Sequence, residues 1–140
     1  MTQDKGYRIL VIDDDLDLLM LMERRLLNHG YEVETAASLP EAEELIPAFQ
    51  PDLVLLDIHV KSEDGRSLCW KLKQDRVTRF IKVFIISGYD TNKSRATLFG
   101  ADELVPKPLD FEFLLHLIER YRNVYEADES GIPPPHVPRD

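Results

Sequence analysis

The sequence predicts an α/β fold in which helices cover both faces of a five-stranded parallel sheet. Four apolar runs have the composition of buried parallel strands, residues 9–12, 53–56, 83–86 and 104–105. The first three end directly in a polar group, at Asp13-Asp14-Asp15, Asp57 and Ser87, and the fourth leads through Pro106 to Lys107. Ligands of such sheets bind at the carboxyl ends of the strands. We therefore expect these groups to meet at one edge.

Composition limits the classes of protein to consider. The 140 residues suit one domain with a full core, and the net charge of −9 argues against direct binding of nucleic acid through its phosphates. Cys69 is the single cysteine, which excludes a disulfide framework and predicts a buried, inert thiol. The first residues lack the apolar stretch of a secretory signal, and no run is long enough to span a bilayer. We expect a cytoplasmic protein without a membrane partner.

The first strand is followed by a helix predicted over residues 17–29, which Gly30 ends. We expect its sheet-facing stripe to consist of Leu18, Leu21, Met22 and Leu26. Leucines and a methionine off this stripe make the helix apolar nearly all round. Either the C-terminal segment or a second subunit would cover them, so a homodimer is one hypothesis.

The next elements continue the alternation of strands and helices. Residues 31–36 alternate like an edge strand, and Ser38 has capping-box spacing for a helix that would end before Pro47. The third strand follows Pro51. The remaining elements are predicted as a helix over residues 65–74, a strand over 82–86, a helix over 92–99 that Gly100 ends, and a strand at 104–105.

The last predicted helix begins after Asp110, which is a good N-cap residue. Its buried face would consist of Phe111, Leu114, Leu115 and Ile118. From about residue 126 the composition changes, because four of the nine prolines lie within residues 133–138. This stretch is typical of an extended tail or an interdomain linker.

Three carboxylates at one sheet edge require a counter-charge. Asp13, Asp14 and Asp57 would repel one another unless a cation bound between them, and hard oxygen ligands favour Mg²⁺. Together Mg²⁺ and the Lys107 ammonium would balance the three negative charges and leave the site able to accept a phosphoryl group. Asp57 stands alone at its strand end and is the natural nucleophile, which would form an aspartyl phosphate.

These residues resemble a known family. The acidic pair Asp13-Asp14, Asp57 followed by Asp64-Gly65, Ser87-Gly88, and Gly100-Ala101-Asp102 leading to Lys107-Pro108 match the pattern of the receiver domain of two-component response regulators. The likeness covers about residues 7–124, between a lead of residues 1–6 and a tail or linker of residues 125–140. It implies a flavodoxin-like, CheY-like (βα)5 fold, doubly wound, with strand order 2-1-3-4-5.

The resemblance also implies roles for the site residues. Asp57 would be the phosphoacceptor, served by a sensor histidine kinase or a histidine phosphotransfer protein. Asp14, Asp57 and the main-chain carbonyl of His59 would bind Mg²⁺ directly, with Asp13 acting through water. Lys107 and Ser87 would contact the phosphoryl oxygens.

Two further features follow from the resemblance. Proline makes a cis peptide bond accessible, and a cis bond between Lys107 and Pro108 would orient the lysine. Such a domain is not an enzyme, although its phosphorylation and dephosphorylation would be autocatalysed. The phosphorylated form would present an altered surface around the fourth helix, fifth strand and fifth helix to an effector protein.

The sequence departs from the family pattern near the site. Leu104 stands where receivers usually carry Tyr or Phe, which puts the usual aromatic reporting step in doubt. Val60-Lys61 replaces a common Met-Pro, and Pro106 is an added rigid residue before the lysine. His59 and Tyr89 would flank the pocket and tune the lifetime of the phosphoryl group.

Two alternatives remain open. A receiver-like interaction module that does not need phosphate is suggested by Leu104, and predicts that Asp57→Asn leaves partner binding unchanged. A haloacid-dehalogenase-type phosphatase is suggested by the Asp-x-Asp within Asp13-Asp14-Asp15, but Leu16 occupies the place of its usual Thr. Sustained phosphomonoester hydrolysis by Asp13 without Asp57 would favour the phosphatase.

Overall fold

The computed structural model describes residues 6–88 and 99–129, with the side chains of the last helix described through residue 123. The chain divides into two compact units, Met1–Lys107 and Pro108–Asp140. The first unit contains the sheet and the candidate site. The second contains the C-terminal helix.

Five parallel strands form the sheet, in the order β2-β1-β3-β6-β7. Their bounds are β1 Arg8–Ile12, β2 Glu32–Ala36, β3 Leu53–Asp57, β6 Lys82–Ser87 and β7 Glu103–Pro106. Two short strands, β4 His59–Val60 and β5 Glu63–Asp64, pair separately as an antiparallel hairpin. Without the hairpin strands, the sheet has the order 2-1-3-4-5, and the predicted fold is confirmed.

Four helices lie in the part of the chain that the structure describes. They are α1 Leu16–Asn28, α2 Leu39–Phe49, α3 Arg66–Gln74 and α4 Phe111–Glu129. The helix predicted over residues 92–99 lies outside the described residues except for Phe99, which with Gly100 forms a turn.

Side-chain caps fix where three of these helices begin. The Asp15 carboxylate accepts a hydrogen bond from the Leu18 amide at 3.2 Å at the start of α1. Ser38 Oγ accepts one from the Glu41 amide at 3.2 Å at the start of α2. The Asp110 carboxylate accepts one from the Phe113 amide at 3.2 Å. Each cap satisfies a helix-terminal N–H group that has no partner within the helix.

The two faces of the sheet are covered by different helices. Buried residues of α2 and α3 form one core cluster with alternate strand residues, Leu10, Ile12, Val54, Leu56, Val83 and Ile85. Because successive side chains of a strand point to opposite faces, Ile9, Val11, Leu53 and Leu55 face the other side. Helix α1 contacts β1 and β2, and its buried Leu19, Met22 and Leu26 lie outside that cluster, as expected for a helix on the opposite face.

In the second unit, α4 buries the predicted residues Phe111, Leu114, Leu115 and Ile118, together with Leu117. The helix continues to Glu129, past residue 124. The domain boundaries at residues 7 and 124 remain predictions.

The predicted stripe of α1 was wrong in two of its four positions, because Leu18 is only partly buried and Leu21 is exposed. Leu19 is buried and Leu21 is half exposed, so the sheet-facing residues follow the spacing 19, 22, 26. Leucines on nearly every side of this helix make its period ambiguous. Leu16, Met20 and Leu27 are exposed.

The predicted end of α2 before Pro47 was also wrong. Pro47 lies inside the helix, which runs to Phe49. Proline has no backbone N–H group, so it removes one main-chain hydrogen bond from the helix. The last turn is still closed, because the Gln50 amide donates to the Ile46 carbonyl at 2.8 Å and Gln50 adopts the left-handed conformation.

Candidate functional site

The site residues follow directly from the register of the sheet. Ile12 pairs with Leu56, so Asp13 and Asp57 come next on neighbouring strands. Asp57 pairs with Ile86, one residue before Ser87. Ser87 pairs with Pro106, and the Lys107 amide donates to the Ser87 carbonyl at 2.9 Å. The strand order reverses between β1 and β3, where ligands of doubly wound sheets bind.

Three carboxylates converge at this reversal. One oxygen from each of Asp13, Asp14 and Asp57 lies within 4.8 Å of the other two. Asp13 and Asp57 are buried, with exposures of 5% and 8%, whereas Asp14 is exposed. The cluster is therefore accessible to solvent from the Asp14 side.

Lys107 provides the neighbouring positive charge. Its Nζ lies 3.4 Å from Asp57 Oδ1 and 3.8 Å from Asp13 Oδ2. The Lys107 side chain is 34% exposed, so its ammonium faces both the carboxylates and the solvent. The structure thus brings together four of the residues that the sequence singled out.

Burial raises the pKa of Asp13, and the charges of Asp57 and Asp14 raise it further. A hydrogen bond from the Asp15 amide, at 2.9 Å, and the charge of Lys107 act in the opposite direction. One lysine does not offset burial and two like charges. A cation bound between the carboxylates would relieve this cost.

The donor set fits Mg²⁺. Its ligands are hard carboxylate oxygens, and the 4.8 Å spread lies close to the about 4.2 Å between opposite ligands of an octahedral ion with bonds of about 2.1 Å. Small side-chain rotations would close this difference. The three carboxylates would surround the ion, with its remaining positions open to water or phosphate oxygens.

The loop between β3 and α3 closes tightly over the Asp57 backbone. The Gly65 amide donates to the Ile58 carbonyl at 2.7 Å. A Cβ at Gly65 would collide with the main-chain oxygen of Asp57 and contact Leu56. Glycine is therefore required at this position by close approach, because its φ of −60° is open to any residue.

Within this loop the structure contains a hairpin that the sequence did not predict. Lys61 and Ser62 connect β4 to β5, and both have positive φ, 51° and 68°. Two positive φ values are typical of a type I′ turn, which normally carries Asn-Gly or Asp-Gly. Lys-Ser gives no such signal.

Asp64 forms an ion pair with Arg66, the first residue of α3. Its carboxylate accepts hydrogen bonds from Arg66 Nη2 at 2.7 Å, from Nε at 3.0 Å and from the Arg66 amide at 2.9 Å. These bonds to the charged form lower the pKa of Asp64. Asp64 is thus engaged with Arg66, apart from the three clustered carboxylates.

The remaining predicted residues differ in what the structure shows of them. Ser87 is buried with 1% exposure at the end of β6, and His59 is exposed in the hairpin. Leu104 is partly buried and packs against the core cluster of α2 and α3. Tyr89 lies outside the described residues, and the cis bond before Pro108 remains a prediction.

Cys69 and Trp70 lie on α3, which follows the hairpin. Burial raises the pKa of the Cys69 thiol to about 12, so the thiol is neutral at physiological pH, as expected for an inert residue. The Trp70 ring is half exposed, and it packs edge-to-face on Phe99 at 6.1 Å.

The fold and the site define a class: a flavodoxin-like α/β domain with an acidic cluster and a lysine at its switch point. The sequence model of the response regulator receiver domain family matches residues 9–119 of this chain. The chain belongs to this family. Receiver domains are the phosphoacceptor signalling domains of two-component systems, and they typically bind Mg²⁺ and form phosphoaspartate. Family membership favours this assignment over the phosphatase alternative.

Curated relatives agree with the family assignment. The chain is 38% identical over 105 residues to the response regulator PleD of Caulobacter vibrioides, covering 74% of this chain and 23% of PleD. It is 34% identical over 110 residues to the DNA-binding dual master transcriptional regulator RpaA of Synechocystis sp., covering 77% of this chain and 46% of RpaA. The chain therefore spans less than half of either relative.

Solved structures extend the likeness to the whole fold. The CheY-like receiver domain protein from Methanospirillum hungatei matches with a TM-score of 0.78 and 29% identity, covering 89% of this chain and 99% of that one. The signal receiver domain of a DNA-binding response regulator from Colwellia psychrerythraea matches with a TM-score of 0.76 and 30% identity, covering 84% and 99%. Among the described residues, no helix has the length and apolar character required to cross a membrane.

Proposed function

We propose that Asp57 is the phosphoacceptor of a signalling switch that takes its phosphoryl group from a phosphohistidine. The observation that supports this most strongly is the cluster itself. Three carboxylates lie within 4.8 Å of one another, and the Lys107 ammonium lies 3.4 Å from Asp57. Phosphoryl transfer needs mainly positioning and neutralisation of charge, and these groups supply both.

The proposed step is a direct displacement. An Asp57 carboxylate oxygen attacks the phosphorus, a new O–P bond forms, and the N–P bond of the donor breaks. The electron pair remains on the imidazole nitrogen, which takes a proton from solvent. Lys107 stabilises the charge on one phosphoryl oxygen, and the Ser87 hydroxyl hydrogen-bonds another.

The metal roles are proposed on the same geometry. Asp14, Asp57 and the His59 main-chain carbonyl would hold Mg²⁺ directly, and Asp13 would act through water. When bound, Mg²⁺ would supply the positive charge that neutralises the carboxylates and the incoming phosphoryl group. Hydrolysis of the aspartyl phosphate by water would restore Asp57, and we expect His59 and Tyr89 to tune the access of that water.

The donor would be a sensor histidine kinase or a histidine phosphotransfer protein, and the recipient of the signal an effector protein. Phosphorylation would bias two pre-existing arrangements of the output surface that the family fold forms from its fourth helix, fifth strand and fifth helix. The binding of an effector protein by the phosphorylated form is part of this proposal.

An assay with a small phosphodonor tests the proposal. The protein is incubated with acetyl phosphate and Mg²⁺ or with excess chelator, and its intact mass is followed with time. We expect a gain of one phosphate that requires Mg²⁺ and is lost in Asp57→Asn. The isosteric amide keeps the shape of the side chain, and circular dichroism confirms that the variant is folded. Phosphate gain by Asp57→Asn would overturn the assignment.

Leu104 supports a second candidate, an interaction module that works without phosphate. This side chain packs partly buried against the core cluster, where the family usually has an aromatic ring that changes position. The discriminating measurement is partner affinity with wild type, Asp57→Asn and phosphorylated protein. Equal affinities in all three would favour the second candidate over the switch.

A further inference from the structure

The exposed carboxylate of Asp14 is held by the hairpin between β3 and α3. The Lys61 amide donates to Asp14 Oδ2 at 2.6 Å. The two buried members of the cluster have other anchors: Asp13 accepts from the Asp15 amide, and Lys107 lies near both Asp13 and Asp57. Solvent surrounds Asp14, so a fixed donor limits the rotation of its carboxylate.

The hairpin is built to present this amide. Val60 is fully buried in the core cluster of α2 and α3, and it pairs with Glu63 across the hairpin. In the turn that follows, the backbones of Lys61 and Ser62 adopt the left-handed conformation, with φ values of 51° and 68°. This conformation is unfavourable for residues other than glycine, and it persists because Val60 and the strand pairing fix both ends.

We propose that the Lys61 main-chain amide is a positioning group that pre-orients Asp14 for a divalent cation. This inference rests on the proposed function of the acidic site. The N–H group occupies one lone pair of Oδ2, which leaves Oδ1 and the second lone pair of Oδ2 to coordinate. The three ligand oxygens already lie within 4.8 Å while this hydrogen bond is in place, so the bond and the cation are compatible.

The physical effect is pre-organisation. Without the amide, Asp14 would sample rotamers away from the cluster, and binding would have to restrict it against the repulsion of two other carboxylates. Removing a hydrogen-bond partner of a metal ligand typically lowers the metal affinity about 10-fold to 100-fold. We expect the lower end of that range here, because Asp14 is exposed.

Two substitutions at Lys61 separate the amide from the ammonium. Lys61→Pro removes the N–H group and cannot adopt a φ of 51°. Lys61→Gly removes the same side chain but keeps the N–H group and tolerates the turn. Ser62→Gly relaxes the second positive φ and leaves the amide intact, so it controls for the flexibility of the hairpin.

The experiment is a titration of each 140-residue variant with Mg²⁺ alone, followed by isothermal calorimetry. We expect Lys61→Pro to bind Mg²⁺ about 10-fold more weakly than Lys61→Gly, with Ser62→Gly close to wild type. Equal affinities of the proline and glycine variants would overturn the positioning role. If wild type itself bound no Mg²⁺ and took up no phosphate, the proposed function would fail instead.

A second readout does not depend on the proline variant folding. In ¹H–¹⁵N spectra of the metal-free wild type, the Lys61 amide proton should be shifted downfield and protected from exchange. Asp14→Asn, which replaces the charged acceptor, should move this signal upfield and shorten its protection. An unprotected Lys61 amide that Asp14→Asn leaves unchanged would contradict the proposal.

Discussion

The ammonium nitrogen of Lys107 lies 3.4 Å from Oδ1 of Asp57, although β3 and the residue after β7 are not neighbours in the sheet. Strand β6 lies between them, and its last residue, Ser87, accepts a hydrogen bond from the Lys107 amide at 2.9 Å. The long lysine side chain reaches past the buried serine to the carboxylate. The order of the strands thus sets the distance between Asp57, the proposed nucleophile, and the Lys107 ammonium.

Removing this counter-charge should slow phosphorylation. Lys107→Ala removes the ammonium 3.4 Å from Asp57, so Mg²⁺ alone would stabilise the transferring oxygens, and loss of one such group costs roughly 10²-fold in rate. Uptake of phosphate from acetyl phosphate with Mg²⁺, followed by intact mass, measures this. Lys71→Ala is the matched control, because its ion pair with Glu43 is exposed and includes no residue of the cluster. A Lys107→Ala rate equal to that of the control would contradict the role of Lys107.

Asp13→Asn should stabilise the metal-free protein and weaken its binding of Mg²⁺. The amide removes a buried negative charge beside Asp57 and Asp14, and its oxygen can still accept the Asp15 amide. Active sites often trade stability for such charge clusters. Thermal melts in chelator should give a higher Tm than wild type, and the difference should shrink as Mg²⁺ is added. A lower Tm in chelator would be inconsistent with this account.

The two perturbed carboxylates predict opposite slopes of stability with pH. The pKa of Asp13 is raised in the folded state above its ordinary value of 3.8. Between the folded and unfolded values the folded state binds more protons, so stability rises as pH falls through this window. The pKa of Asp64 is lowered below 3.8, so its contribution is present above 3.8 and is lost as pH falls through the folded value.

Melts in chelator from pH 7 to pH 3 check this prediction. Wild type should gain stability from Asp13 on acidification, and Asp13→Asn should lack this gain. Wild type should lose the stability that Asp64 contributes below about pH 3.8, and Asp64→Asn should lack this loss. The effect of Asp64 should be small, because its side chain is 43% exposed and solvent screens the ion pair. If the Asp13→Asn curve ran parallel to wild type over the whole range, Asp13 would not have the raised pKa that this account assigns to it.

Much of the fold could be predicted from the sequence because continuous apolar strands, each ending in a chemical group, leave few topologies open. The positions of Asp13, Asp57, Ser87 and Lys107 follow from that topology. The sheet-facing side of α1 could not be read correctly, because leucines such as Leu19 and Leu21 lie on both sides of it. In these elements the local pattern was strong but not unique.

Other features depend on tertiary contacts that leave no local signal. Pro47 normally ends a helix, but α2 continues because the Gln50 amide closes the next turn. The hairpin turn at Lys61-Ser62 has no turn sequence of its own, since buried Val60 and the pairing of β4 with β5 impose it. The contact of the Lys61 amide with Asp14 followed from this turn and was not predicted.

Gly65 tests how closely the loop must approach the phosphoacceptor. In Gly65→Ala the new Cβ would collide with the Asp57 carbonyl, and overpacking of this kind costs about 1–3 kcal/mol in unfolding free energy. Urea denaturation measures the loss, and phosphate uptake should fall because the Asp57 backbone must move.

Gly30→Ala is the control for Gly65→Ala. Its φ of 90° makes alanine strained by about 1–2 kcal/mol, but nothing lies within 4 Å of the added Cβ. It should lose comparable stability without slower phosphate uptake. If both variants slowed uptake equally, general destabilisation would explain the effect.

Locating the phosphate tests the central claim most directly. The protein is phosphorylated with acetyl phosphate and Mg²⁺, digested under acidic conditions, and its peptides are mapped by mass spectrometry. The account predicts a single acid-stable, base-labile phosphate on Asp57. A phosphate on Asp13, Asp14 or a hydroxyl residue, with Asp57 unmodified, would contradict it.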